Sequence, residues 1–445
     1  MANILLISYD NSSHIPFFPQ HLFHLLGALK KDGHCVFLWF QDIHHGSGRH
    51  LTKILNDANF DMVCLGFVAG YWQYRKALAL SEAINKSTNR SKFTYTIGGH
   101  GPGAEPEYFL NKLEADACVI GDGEEAICDI ATGNVTGILQ GVPCEDDEAP
   151  LSSYSDFPMD IYSLIRWPTS TNTDFCFPIL SSRGCKWHCS FCYRMRKGYF
   201  MRSVEAIMEE IKFLNSQYKI NHFQFSDELL MASEKRTEEI CQGILQLPIK
   251  IKWDCNGRLN FAQTKTLKLM RKAGCEYINY GIESVNQDLL NEMKKGLTVD
   301  QIHSGVDATL KAKISPGLNL IWGFPGDTTK NLTYATEFLI KYDPCHELRT
   351  IRPVTPYPGT PLYKLAIEKG LLEGPEDFYE RKHVNSDLFT VNFMDIETPV
   401  AHKYLLEANI KLVSNYYAKR QKAQLSDAER MYLGGDTSFR GFREI

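Results

Sequence analysis

Residues 180–193 read Leu180-Ser181-Ser182-Arg183-Gly184-Cys185-Lys186-Trp187-His188-Cys189-Ser190-Phe191-Cys192-Tyr193. The apolar run 177–180 has the composition of a strand, and Ser-Ser-Arg-Gly breaks it into a loop carrying cysteines spaced Cys-x3-Cys-x2-Cys. A fully ligated iron–sulfur cubane takes four thiolates, so three within eight residues hold three irons and leave the fourth open to a small-molecule ligand. The alternative is a zinc site whose fourth ligand is His188 or a distant residue. Arg183, Lys186, Arg194, Arg196, Lys197 and Arg202 surround the loop, with no acid until Glu205. This basic collar offsets thiolate charge and suits anionic ligands, although its outermost members also read as ordinary solvated surface.

The chain has 445 residues, enough for two or three domains, and its 44% apolar content and net charge of −5 are those of a soluble globular protein. Bulk charge gives no reason to expect a nucleic acid or an anionic membrane as partner. No apolar run reaches the ~18 residues of a membrane helix, and the first residues lack a basic-then-apolar pattern, so a cytoplasmic protein is expected. Of 13 cysteines, the ten outside the triplet (Cys35, Cys64, Cys118, Cys128, Cys144, Cys176, Cys241, Cys255, Cys275 and Cys345) are scattered singly. That scatter predicts neither a disulfide framework nor a second cluster.

The first ~135 residues alternate apolar runs with amphipathic stretches. Strands are predicted at 4–8, 35–40, 62–67, 93–97 and 117–120, and helices at 20–31, 51–57, 71–85, 106–113 and 124–130. This βα rhythm predicts a doubly wound parallel sheet whose ligand sits beyond the carboxyl ends of the strands. Those ends are glycine-rich: Gly66 with Ala69-Gly70, Gly98-Gly99-His100-Gly101-Pro102-Gly103, and Gly121-Asp122-Gly123-Glu124-Glu125. Glycine lets a backbone approach a bulky ligand. A G-x-G-x-x-G dinucleotide fingerprint is missing after the first strand.

Residues 144–173 mix acids, Ser, Thr and Pro and read as a linker. From 177 the rhythm resumes, with strands predicted at 177–182, 222–226, 250–255, 277–282, 317–322 and 348–354, which fits a partial (β/α)6 barrel. Reactive groups in barrels gather at the C-terminal strand ends. There the sequence offers Ser226-Asp227-Glu228, suited to an ammonium group or to capping the next helix, and Arg258, suited to a carboxylate or to a surface ion pair. It further offers Glu283-Ser284, the turn Gly323-Phe324-Pro325-Gly326-Asp327, and Tyr357 in Pro356-Tyr357-Pro358-Gly359-Thr360-Pro361-Leu362-Tyr363. The last ~70 residues lose the rhythm, with helical spacing over 402–420.

The three-cysteine spacing, the strand before it and Phe191 before the last cysteine resemble the radical S-adenosylmethionine (SAM) enzymes. Ile97-Gly98-Gly99-His100-Gly101-Pro102 with Pro106-Glu107, Val119-Ile120-Gly121-Asp122-Gly123-Glu124-Glu125-Ala126, and Phe18-Pro19 before a helix ending in Gly33-His34 are similar to the cobalamin-binding domain that precedes many of them. The resemblance implies a [4Fe-4S] cluster on Cys185, Cys189 and Cys192. It implies SAM held by Phe191, Ser226, Asp227, Glu228, Arg258, Glu283, Ser284, Gly323 and Pro325. Cobalamin would lie against Gly66, Ala69, Gly98, Gly99, His100, Gly121, Gly123 and Glu124, with Tyr357 towards substrate or cobalamin. The Asp-x-His-x-x-Gly motif of methionine-synthase-like domains is missing: Asp10-Asn11-Ser12-Ser13-His14 stands there, and Asp42-Ile43-His44-His45-Gly46 reads as a polar turn. No axial ligand is therefore named.

The domains implied are 1–140, cobalamin-binding; 141–175, linker; 176–370, radical SAM barrel; and 371–445, a pocket cap. The implied function is methylation of an unactivated carbon through a deoxyadenosyl radical, with an external donor such as flavodoxin or ferredoxin and an unidentified small-molecule or peptide substrate. Two alternatives stay open: an epimerase, cyclase or other rearranging radical enzyme without methyl transfer, and a non-catalytic cobalamin or metal sensor.

Overall fold

The computed structural model describes residues 1–10, 16–68, 70–133, 135–196 and 198–438. Its first sheet is formed by β1 (Asn3–Ile7), β2 (Cys35–Trp39), β3 (Met62–Gly66), β4 (Thr94–Gly98), β5 (Ala117–Ile120) and β6 (Gly137–Gln140). All neighbours are parallel, in the order 2-1-3-4-5-6. Central strands such as Met-Val-Cys-Leu in β3 are buried on both faces, as helices on either side of a parallel sheet require. The helix Gln20–Lys31 turns Leu22, Leu26 and Leu29 onto the sheet. Strand order reverses between β1 and β3, which opens a crevice at their carboxyl ends.

The second half contains β7 (Cys176–Ile179), a hairpin of β8 (Ser182–Gly184) with β9 (Tyr199–Met201), β10 (His222–Phe225), β11 (Lys252–Gly257), β12 (Cys275–Glu283), β13 (Ser315–Trp322) and β14 (Arg352–Pro353). Except for the hairpin these strands form one open parallel sheet, in the order 14-13-12-11-10-7. The expected doubly wound sheet followed by a six-stranded partial barrel and a helical C-terminal part is the observed architecture.

Several local expectations differ. The sixth barrel strand shrinks from the expected 348–354 to two residues, because Pro353 has no N–H to continue the ladder. β6 and the hairpin that closes the cysteine loop were not expected. Their short runs, Gly-Ile-Leu-Gln and Tyr-Phe-Met, carry too little pattern to read. The C-terminal helix spans Thr398–Tyr432 instead of 402–420, burying Ala401, Leu405, Ala408 and Leu412. The segment 42–46, expected as a polar turn, begins as a helical turn and leaves His44 and His45 exposed. Gln41–His44 is helical, and the buried Asp42 accepts hydrogen bonds from Ser8 and, at 2.9 Å, from Tyr162.

The linker is likewise part of the core. Phe18 of the first half lies 4.5 Å from Phe177 of the second, and Tyr154, Phe157 and Tyr162 pack around it. Among the described residues no helix is long and apolar enough to cross a membrane.

Candidate functional site

A cavity of about 370 Å³ lies where the carboxyl edge of the first sheet meets the mouth of the second. Strand alternation sends Cys64 and Gly66, Thr96 and Gly98, and Val119 and Gly121 to one face, and all six line the cavity. Opposite them stand His21, His24 and Leu25 of the helix Gln20–Lys31 and Ile127 of the helix Glu124–Gly133. Small residues on the sheet leave a trough. A Cβ on Gly66 would come within 3.2 Å of the His21 ring, and Gly99, at φ +97°, would drive one to 2.7 Å from the Phe67 carbonyl oxygen.

On the helix and sheet walls the histidines are held neutral and one hydroxyl is unpaired, while the charged rim is closed by the pairs of Arg183 with Glu124 and Arg196 with Asp122. Burial brings His21 and His100 down to about 4, and burial with the nearby Arg183 and Arg202 charges lowers His24 as well. His21 is open to the cavity yet surrounded by protein, and its ring stacks on Tyr9 at 5.9 Å. The Thr96 hydroxyl is buried without a hydrogen-bond partner. A bulky, largely uncharged ligand carrying a hydrogen-bonding group fits this lining, which is the expectation for cobalamin. Gly66, Gly98, Gly99, His100, Gly121, Gly123 and Glu124 fall together as expected, while Ala69 lies outside the described residues.

The cavity continues to Ser226 and Glu228 at the end of β10 and to Gly184 beside the cysteine loop. That loop is held from two sides: Ser190 N–H donates to the Met293 carbonyl at 3.0 Å, and Leu362 N–H donates to Ser190 O at 2.9 Å. The three thiols feel one another. Burial first, then Cys189, Glu228 and Cys185, pushes Cys192 up to about 12, and burial also raises Cys185. Among the described residues no three Cys, His, Asp or Glu side chains are grouped as a single metal ion would need. A cubane gives each sulfur its own iron. A loop of three neighbouring thiols ringed by bases fits such a cluster.

The other expected residues divide. Asp227 faces inward, fully buried, accepting from Ser181 N–H at 2.7 Å and from the hydroxyls of Ser181 and Ser182. It shapes the loop and is closed off from a ligand's ammonium group. Glu283 has φ +69° and takes the Lys295 ammonium at 3.0 Å. Ser284 caps the next turn through Asn286 N–H at 3.1 Å. Gly323, at φ +91°, is pressed on Phe389, and Pro325 follows in the same turn. Phe191 packs beside Phe324 and Leu362. Tyr357 stands against His383 at 5.3 Å and His100 at 6.5 Å.

The basic collar is largely paired with protein. Arg183 meets Glu124 at 2.6 Å, Arg196 meets Asp122 at 2.9 Å and Arg202 meets Glu210 at 2.6 Å. The first two pairs tie the Gly-Asp-Gly-Glu turn to the strands flanking the cysteine loop. Lys197 lies outside the described residues.

Sequence reasoning missed His21, His24, Thr96 and Tyr193. Tyr193 wedges between His100, 4.3 Å away, and Gly359, whose added Cβ would strike the ring at 2.5 Å. The only signal was a pair of histidines three apart on the first turns of a helix, which reads equally as a polar helix face.

Comparison with known proteins agrees with this layout. The radical SAM superfamily profile matches residues 179–339 and the B12 binding domain profile matches residues 15–131. An uncharacterized methyltransferase of Pyrococcus horikoshii is 29% identical over 365 residues, covering 77% of this chain and 75% of that protein. The bacteriochlorophyllide d C-12(1)-methyltransferase of Chlorobaculum tepidum is 25% identical over 355 residues, covering 75% of this chain and 74% of its own. The structure of the cobalamin-dependent S-adenosylmethionine radical enzyme OxsB, with aqua-cobalamin and S-adenosylmethionine bound, superposes with a TM-score of 0.70 at 15% identity, covering 97% of this chain and 75% of that one. The cysteine loop at the mouth of an open six-stranded barrel thus lies in a radical SAM superfamily domain, and the doubly wound sheet before it coincides with a B12 binding domain.

Proposed function

We propose that this protein is a cobalamin-dependent radical SAM methyltransferase acting on an unactivated carbon. The observation that carries the reading is the single cavity that joins the glycine-lined edge of the B12 binding domain to the second barrel strand beside the cysteine loop. When bound, the cluster supplies the electron that cleaves SAM to a deoxyadenosyl radical, and cobalamin carries the methyl group.

The chain's own residues do the holding. Cys185, Cys189 and Cys192 bind three irons of a [4Fe-4S] cluster. Ser226 and Glu228, open to the cavity, meet SAM, while Glu283 with Lys295 fixes the mouth of β12 and Phe191 lies beside Lys295. Gly66, Gly98, Gly99, Gly121 and Gly123 admit the corrin, and His100 with Tyr357 faces the substrate side. The domain limits follow this division: 1–140 for cobalamin, 141–175 as connection, 176–370 for the cluster and SAM, and 371–445 as cap. A flavodoxin or ferredoxin supplies the electron.

The reductively treated, anaerobic protein should show cobalamin's visible absorption and release deoxyadenosine, and methyl-deuterated SAM should deuterate the product or the bound corrinoid. Deoxyadenosine without any deuterium transfer would leave a rearranging radical enzyme and exclude the methyltransferase.

A further inference from the structure

Arg258 follows β11 at the barrel mouth, where a guanidinium is expected to reach a ligand's carboxylate, yet its surroundings point elsewhere. It is buried, 7% exposed, and its Nη2 donates to the carbonyls of Lys295 and, at 3.5 Å, Gly296. Its Nε donates to Asn260 Oδ1 at 3.4 Å. The guanidinium lies 3.9 Å from the centre of the Trp187 ring, and Trp187 sits between the first two cysteines of the loop. The stack is closed from behind by Gly296, at φ +60°, where an added Cβ would stand 2.9 Å from the indole. The guanidinium charge reaches the Cys189 and Cys185 thiols, which lie on either side of Trp187 in the loop. Trp187 Nε1 is buried with no partner.

We infer that Arg258 and Trp187 form an electrostatic platform for the cluster: Arg258 is a positioning residue that braces Trp187 between Cys185 and Cys189 and raises the cluster's reduction potential, and does not bind the SAM carboxylate. This rests on the cluster assignment proposed above. The physical ground is charge. A one-electron reduction, with the electron coming from the external donor, adds one negative charge to the cluster. A fixed cation stacked on the residue between two of the cluster's cysteines, in a site mostly shielded from water, favours that form. Stacking on an indole holds a planar guanidinium in place where a lysine would not lie flat.

The test uses the full chain reconstituted anaerobically with iron and sulfide, as wild type and as Arg258→Gln. Iron content, an EPR-followed redox titration and SAM affinity from the SAM-induced change in the EPR signal are read on both. The variant should keep its iron and bind SAM within about twofold. At a fixed reductant poise its ratio of reduced to oxidised cluster should fall about tenfold, a midpoint about 59 mV more negative for one electron. An unchanged midpoint with SAM affinity reduced tenfold or more overturns the inference and returns Arg258 to the carboxylate. Should Arg258→Gln lose iron, Arg258→Lys decides. A midpoint lowered by less than in a full charge loss, with SAM affinity kept, supports the platform, and weakened SAM binding at the wild-type midpoint overturns it. A wild-type chain that takes up no cluster refutes the function proposal and this inference together, whereas the variant outcomes refute this inference alone.

Discussion

The two ends of the barrel strands handle charge in opposite ways. At the base of β7, β10 and β11, His222 is fully buried with Nε2 3.0 Å from Asp254, while Asp174 takes Lys252 at 2.8 Å and the Thr171 N–H at 2.7 Å. Those charges close on one another. At the mouth of the same strands Glu283, at φ +69°, and the positive-φ glycines Gly184 and Gly323 lie beside the cysteine loop and the turn after β13, and the buried Trp187 Nε1 there has no protein partner. At the base, positive φ falls in the turns that enter β10, β12 and β13, at Lys219, Gly274 and Lys313. Strain and unmet hydrogen-bonding capacity cost stability, and they persist where a ligand completes them. The base serves the fold and the mouth serves the ligand.

The largest effect expected from breaking this division is at the cysteines. Cys192→Ala should remove cluster iron and cut deoxyadenosine formation by more than the about 100-fold that loss of an outer-shell partner costs a metal site. Because the loop is also held by Met293 and Leu362 backbone contacts, circular dichroism and the urea midpoint of the iron-free protein should stay near wild type. Full retention of iron and cleavage would refute the cluster assignment.

His222→Ala is the converse experiment. It leaves Asp254 buried without its cation, while Asp174 keeps Lys252, a change worth about 3 kcal/mol or more of unfolding free energy. Urea denaturation measures it, while deoxyadenosine formation per folded, cluster-loaded molecule should not change. A stability loss below 1 kcal/mol would mean that water reaches the base.

The sequence made the mouth legible and left the base opaque. Cys-x3-Cys-x2-Cys, the glycine turns and Tyr357 stand out because short-range spacing carries their chemistry, and the βα rhythm showed both sheets. The partners in each pair, His222 with Asp254 and Asp174 with Lys252, are 32 and 78 residues apart and meet only through strand register, so a single sequence gives no sign of the pairing. The same limit explains the collar. Six clustered bases read as a ligand site, but Glu124, Asp122 and Glu210, brought in by tertiary packing, already answer Arg183, Arg196 and Arg202. Asp227 followed a strand as a ligand residue would. Its carboxylate turns back because Ser181 and Ser182, one strand over, offer three donors.

The smallest effect sharpens the contrast through pH. At the base, burial opposes charge on His222, but the Asp254 hydrogen bond outweighs it and lifts the imidazole from 6.5 to about 9, while burial raises Asp254 too, so both shifts keep a proton on the pair. A folded-state value above the unfolded one gives stability that is complete below about 6.5 and lost as pH rises through about 9. Across the cavity from the mouth, on the helix Gln20–Lys31, the surrounding protein lowers His21 to about 4 although its side chain is open to the cavity, so the folded state takes up less proton than the unfolded chain does. That contribution is complete above about 6.5 and lost as pH falls through about 4. Thermal melts of the cluster-free protein across this range should therefore show two independent limbs. His222→Gln should flatten the alkaline limb by about 1–3 kcal/mol, and His21→Gln should flatten only the acid limb. An alkaline limb that survives His222→Gln would place the titrating group elsewhere and dissolve the division between the two ends.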